Sequence, residues 1–135
     1  MDRKPARLTA LMSIHPRYAD AILSNHKRVE FRKRPLSAET RSVVIYATSP
    51  VMAVVGEFGI EQQVLASPAD LWTRFADVGG IDHDSFFAYY DGFTEAVGIM
   101  IGEVIKYDTP RALCDVDPGG CPPQSFKYLP DAHHH

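Results

Sequence analysis

A chain of 135 residues, 45% hydrophobic and 23% charged, has the size and composition of one soluble globular domain, with enough length to bury a real core. Its net charge of −3 excludes a uniformly basic, histone-like polyanion binder, so any polyanion contact has to come from a local patch. No apolar run reaches the roughly 20 residues of a membrane span. No small-residue cleavage site follows the short apolar stretch near the start, and two cysteines are too few for a disulfide scaffold, so a cytoplasmic protein is expected.

In chain order, residues 8–14 (LTALMSI) read as a buried strand that Pro16 breaks. Pro16 suits the first turn of a helix, with Ser13 or His15 as its cap. The helix PRYADAILS carries an apolar stripe of Tyr18, Ala21 and Ile22, joined by Ala19. Ser24 and Asn25 end it, with Asn25 in a left-handed conformation. The next segment, up to Pro35, is strongly basic and strand-patterned. Residues 35–41 are a polar loop, and residues 42–48 (SVVIYAT) are a β-branched central strand.

After the Ser49-Pro50 turn, residues 51–66 return as a long strand whose Gly56 and Gly59 predict a bulge or sharp bend, as in a closing barrel. Ser67 caps a helix with Pro68 at its first position and Asp70 in its first turn. Leu71, Trp72 and Phe75 form its apolar face, and Gly79-Gly80 end it. Asp82 caps a second helix over residues 82–91, with Phe86, Phe87 and Tyr90. Residues 95–107 form the last long strand, interrupted by Gly98 and Gly102, and the tail has turn composition with Phe126 and Tyr128. Few helices and no regular βαβ alternation predict an α+β fold. We expect a small, mostly antiparallel barrel of about five or six strands with flanking helices. Residues 1–130 form its single domain, and residues 131–135 read as a tag remnant.

The stretch SNHKRVEFRKR (residues 24–34) reverses the sign of an otherwise mildly acidic chain. Five of the eight residues from Lys27 to Arg34 are basic. Alternation puts Val29 and Phe31 on one strand face and Arg28, Glu30 and Arg32 on the other. Lys27 would share the Val29 face, but it lies close to the turn and is free to point elsewhere. Glu57 and Glu103 lie between apolar neighbours on long strands, where a carboxylate needs a partner, and either is a candidate to pair with the basic strand.

The run SIHPRYADAILSNHKRVEFRKR resembles the signature of the ASCH domain (activating signal cointegrator homology), a branch of the PUA-like barrels. The family pattern G-x-K-x-x-E-x-R falls on Asn25, Lys27, Glu30 and Arg32, with asparagine in place of the glycine. VVIYATSPVMAVVGEF and PPQSFKYL are similar to a prokaryotic and viral subgroup labelled predicted transcriptional regulators. The likeness runs from Leu11 to Leu129. It implies a five- or six-stranded barrel with a cleft lined by the motif's Lys27, Glu30 and Arg32, and RNA or a nucleotide as its ligand. Relatives of this fold include hydrolases. One branch removes an acyl group from a modified cytidine, with a threonine nucleophile at the position that is Glu30 here, which argues against that activity. Others cut single-stranded RNA.

The expected ligand site therefore holds Lys27, Glu30 and Arg32, with Arg28, Lys33 and Arg34 as outer phosphate contacts. Ser13 lies at the helix start, Tyr46 is a candidate base-stacking platform, and Thr48 and Ser49 are candidate phosphate donors at a strand end. The first expectation is a module that binds RNA in a basic cleft, as a transcription or translation regulator. The alternative is a ribonuclease, with Lys27, Glu30, His15 and Tyr46 as its candidate catalytic residues. A further alternative is a docking module for an acidic protein. In the tail, Phe126 and Tyr128 are read as plugging the barrel end, while Gln124, Ser125 and Tyr128 are an alternative closure of the cleft. No metal set, phosphate loop or dinucleotide fingerprint occurs, so no metal or cofactor is expected, and no membrane contact.

Overall fold

The computed structural model describes residues 7–130; the expected tag remnant at 131–135 lies outside the described residues. The elements are β1 (Leu8–Ile14), α1 (Pro16–Leu23), β2 (Val29–Arg32), β3 (Thr40–Ala47), β4 (Ala53–Ala66), α2 (Pro68–Phe75), α3 (His83–Tyr89), β5 (Ala96–Arg111), α4 (Leu113–Val116) and β6 (Phe126–Tyr128). The strands form a six-stranded mixed sheet in the order β2-β5-β4-β3-β1-β6, curled into a half-barrel. β1 and β3 run parallel, because α1 carries the chain across between β1 and the strands that follow. The other neighbouring pairs are antiparallel. None of the described helices is long and apolar enough to cross a membrane.

Strand alternation sorts the core. Ala10, Met12 and Ile14 of β1, Val43, Ile45 and Ala47 of β3 and Val97, Ile99 and Ile101 of β5 share the main cluster with Ala19 and Ile22 of α1. Leu11, Val44, Tyr46 and Val54 face the other way and are covered by Leu113 of α4. A third cluster joins Val29 and Phe31 of β2 to Leu71 and Phe75 of α2 and to Phe86 and Tyr90 around α3. The predicted caps form: the side chains of Ser67 and Asp82 accept from the Asp70 and Ser85 amides at 3.1 and 3.0 Å.

β4 and β5 bend as their glycines predict. Pairing shifts register at Val54/Gly56, Phe58/Ile60 and Ile60/Gln62. A Cβ on Gly56 would stand 2.6 Å from the Ile105 carbonyl oxygen, so only glycine lets the two strands approach there. Several expected boundaries move: β3 begins at Thr40 and β5 runs on to Arg111. β4 starts at Ala53, because the Val51 and Met52 amides both bond back to the Thr48 carbonyl in the turn. The tail contributes α4 and β6, and Phe126 packs against the main core as expected.

Candidate functional site

The turn after α1 sets the geometry of the site. Ser24 is the C-cap, and Asn25 follows with φ 66°, the left-handed conformation predicted for it. The Asn25 amide bonds to the Ile22 carbonyl at 3.0 Å and the His26 amide to the Ala21 carbonyl at 2.9 Å. This is the paired closure of a Schellman turn. The Lys27 amide also reaches Ala21, so the chain turns sharply and Lys27 leaves the helix before β2 begins. Lys27 therefore escapes strand alternation, and its side chain runs to the same recess as Glu30.

Within β2, Glu30 pairs with Ile99 and Arg32 with Val97 across the ladder to β5. Directly opposed residues share a sheet face. The carboxylate and the guanidinium thus emerge on the face that carries the main core, at the mouth of the half-barrel. The Lys27 ammonium lies 3.8 Å from Glu30 Oε1, and Arg32 Nη1 donates to Glu30 Oε2 at 3.0 Å. Lys27 also donates to the Gly79 carbonyl. Its ammonium sits 5.2 Å from the Tyr18 ring centroid and 5.1 Å from that of Phe31, a cation held between two aromatic faces. Arg32 Nη2 donates to Ser125 Oγ at 2.6 Å, which ties the tail to the motif.

Lys27 is 2% exposed and Glu30 6%, so one acid sits between a buried lysine and a partly buried arginine. Burial lowers the Lys27 pKa below its ordinary 10.5, and Glu30 partly restores it. The Gly79-Gly80 turn is shaped around this lysine. Gly80 has φ +66°, and a Cβ there would stand 2.7 Å from Lys27 Cβ.

A cleft of about 260 Å³ opens above the triad. Its walls are Ser13, Ile14 and His15 at the end of β1, Tyr18 of α1, Phe31, and Ile81, Ser85 and Tyr89 from the α3 side. His15 caps α1, its Nδ1 accepting from the Arg17 amide at 3.2 Å. Ser13 Oγ donates to the Pro123 carbonyl at 2.6 Å, a second tie to the tail. α3 divides its faces by helical spacing: Phe86 and Tyr90 enter the core, while Ser85 and Tyr89, four residues apart, face the cleft. Burial raises the pKa of Tyr89.

Lys27, Glu30, Arg32, Ser13 and His15 thus meet in one place. Other expected site residues do not join them. Tyr46 is buried on the opposite sheet face, against Leu11, Val54 and Leu113, because it alternates with Ile45 and Ala47; it is not a platform in this cleft. Thr48 and Ser49 lie in the β3–β4 turn and are absent from the cleft walls. The Arg28 guanidinium is spent on structure. It bonds to the Ile101 and Gly102 carbonyls at 2.6 and 3.0 Å and to Asn25 Oδ1 at 3.0 Å. Lys33 and Arg34 are exposed, and Lys33 reaches the Tyr89 ring. Neither Glu57 nor Glu103 pairs with the basic strand: Glu57 accepts from the Tyr107 hydroxyl at 2.6 Å, and Glu103 is exposed. In the tail, Ser125 touches the motif, whereas the Tyr128 hydroxyl accepts from the Ser37 amide at 2.8 Å.

Sequence reasoning missed Tyr89, Ser85, Ile81 and the Gly79 carbonyl. The i,i+4 spacing of Ser85 and Tyr89 on a capped helix was the available signal for two of them. A backbone carbonyl gives none.

A curled mixed sheet with a Lys–Glu–Arg motif set between its first helix and second strand, beside a cleft, defines a PUA-like half-barrel. A curated ASCH domain-containing ribonuclease from Zymomonas mobilis is 32% identical over 128 residues, which span 93% of this chain and 86% of that protein. This chain belongs to the ASCH domain family. The crystal structure of the ASCH protein from Zymomonas mobilis superposes with a TM-score of 0.84 at 30% identity, covering 91% of this chain and 88% of that one. A tyrosine-to-phenylalanine mutant of the same protein gives 0.83 at 29% identity, with 91% of each chain covered. The large ribosomal subunit protein uL22 of Ureaplasma parvum is 28% identical over 122 residues, which are 90% of this chain and 39% of that protein. No family model matches the chain.

Proposed function

We propose that this protein binds single-stranded RNA in the cleft above Lys27, Glu30 and Arg32 and cleaves it. The observation that carries the reading is the triad itself. Two cations share one buried carboxylate at the floor of a recess walled by His15, Tyr18 and Tyr89. Such a floor presents donors and positive charge to a phosphate, and the tyrosines offer faces to a base. The recess is small, which suits one unstacked nucleotide at a time and not a duplex. The Zymomonas mobilis relative being a ribonuclease supports cleavage over binding alone.

In this reading Lys27 and Arg32 hold the non-bridging phosphate oxygens, and Glu30 keeps both in place. The free Nε2 of His15 takes the proton of the 2′-hydroxyl, whose oxygen attacks phosphorus. The bond to the 5′-oxygen breaks, and the Lys27 ammonium returns a proton to it, a transfer eased by its lowered pKa. The products are a 2′,3′-cyclic phosphate and a 5′-hydroxyl.

The test is incubation of end-labelled single-stranded RNA with the wild type, Lys27→Ala and His15→Ala. The expected result is cyclic-phosphate products from the wild type and a loss of about 100-fold or more in each variant, within the ordinary range for acid–base groups. RNA that stays intact but bound would retire the cleavage chemistry. That outcome would favour the second reading, an RNA-binding regulator. One observation favours it: Lys27, Glu30 and Arg32 are all already hydrogen-bonded or ion-paired within the protein, as suits a rigid recognition surface.

A further inference from the structure

Just outside the cleft, Lys33 brings two aromatic rings together. Its ammonium lies 4.6 Å from the Tyr89 ring centroid and 4.9 Å from that of Phe93. Tyr89 is also a wall of the cleft, so the group forms its lip. Phe93 stands in the turn after α3, where its amide bonds to the Tyr90 carbonyl at 2.9 Å. The Tyr90 hydroxyl in turn donates to the Arg32 carbonyl at 2.7 Å, so the turn is moored to β2. Phe93 is nevertheless 43% exposed, and Lys33 beside it is exposed as well, as is Arg34, which follows Lys33 in the chain. A fixed, exposed ring beside exposed cations, continuous with a phosphate-suited recess, has one chemistry that uses all of its parts. The ring stacks a base and the cation takes the adjoining phosphate.

We propose that Phe93, Tyr89 and Lys33 form a second nucleotide subsite at the lip of the cleft. It takes the base next to the one held inside, with Lys33 on the phosphate between them. The ligand is then a single strand of at least two nucleotides, because a paired base offers no free face to Phe93. The proposal rests on the RNA reading above and adds a minimum length of the ligand and the residues that hold its second base. Stacking is tolerant of base identity, so this subsite contributes affinity and direction without sequence preference.

The experiment compares dissociation constants for uridine monophosphate, a single-stranded tetranucleotide and a duplex of the same sequence. The strands are 2′-O-methylated so that they cannot be cut by their own 2′-hydroxyls. The proteins are the wild type, Phe93→Ala, Phe93→Leu and the Lys27→Ala/Arg32→Ala double variant. The wild type is expected to bind the tetranucleotide more tightly than the mononucleotide and the duplex. Both Phe93 variants are expected to weaken the tetranucleotide by about fivefold or more, since leucine keeps the bulk but not the ring, and to leave the mononucleotide unchanged. Unchanged tetranucleotide affinity, or an equal loss for both ligands, overturns the subsite. Undiminished mononucleotide binding by the double variant overturns the parent reading of the cleft instead, whatever the Phe93 result. A wild type that binds none of the three probes overturns both.

Discussion

At the scale of single residues, Glu30 is the counter-ion of two cations at once. Its carboxylate is almost wholly buried and divides its two oxygens between Lys27 and Arg32. Removing it leaves two like charges facing each other away from water. Glu30→Gln is therefore expected to cost about 3–5 kcal/mol of stability, the range for a broken buried ion pair. Lys27→Met is expected to cost less, because Glu30 keeps Arg32. Urea unfolding of both variants decides the order, and the reverse ranking would mean that Glu30 is not the hub. Lys27 also carries a pH signature. Its folded pKa lies below the ordinary 10.5 through burial, so between that lowered value and 10.5 the unfolded chain binds more protons than the folded one. Stability attributable to Lys27 therefore rises with pH across that window. Tyr89, Tyr90 and Tyr107 act oppositely: burial raises each pKa above 10.0, so they remove stability as the pH passes that value. The Lys27 part is read as the difference in urea midpoint between the wild type and Lys27→Met, which should change from pH 7 to pH 10. A constant difference would contradict it.

At the scale of elements, the α1–β2 turn decides where the lysine goes. Asn25 holds φ 66° where the family pattern has glycine, and its side chain accepts from Arg28. Asparagine tolerates the left-handed region, and β-branched residues do not. Asn25→Val is expected to lower stability by about 1–2 kcal/mol. Asn25→Gly should stay within about 0.5 kcal/mol, since the relaxed backbone offsets the lost Arg28 contact. Thermal denaturation of the two variants checks this, and equal melting temperatures would show that the turn is not strained. Arg28 belongs at this scale too. Its bonds to the Ile101 and Gly102 carbonyls clamp the start of β2 to β5, and its third bond, to Asn25 Oδ1, ties it back to the turn.

At the scale of the whole molecule, the net charge of −3 opposes a polyanion, so in the proposed reading attraction has to come from the local cations at the cleft and its lip. Arg28 is already engaged by carbonyls, so few cations can meet phosphates. The salt dependence of RNA binding should be correspondingly shallow. For about three phosphate contacts, the slope of log affinity against log salt is expected near −2. Titrations at several salt concentrations measure it. A slope steeper than about −5 would place the contact on a wider surface than the cleft and its lip.

Much of the architecture was legible because local rules were obeyed. Ser67, Asp82 and Asn25 did what their side chains favour, and the glycines of β4 and β5 marked where the sheet bends. Alternation in β2 separated Val29 and Phe31 from Glu30 and Arg32, and the motif spacing named the acid and the two bases of the triad. The sequence, through the family pattern, thus picked out the three charged residues that meet in the structure. It could not say which of the neighbouring basics were free. Arg28 looks like Arg32 in sequence, yet one meets carbonyls of β5 and the other a carboxylate. Nor could it say which face Tyr46 takes, since that depends on the sheet's closure and on α4 lying over it. The walls of the cleft come from β1, α1, α3 and the tail, segments far apart in the chain. Only the curled sheet brings them together, because burial and hydrogen-bond partners are properties of neighbours in space.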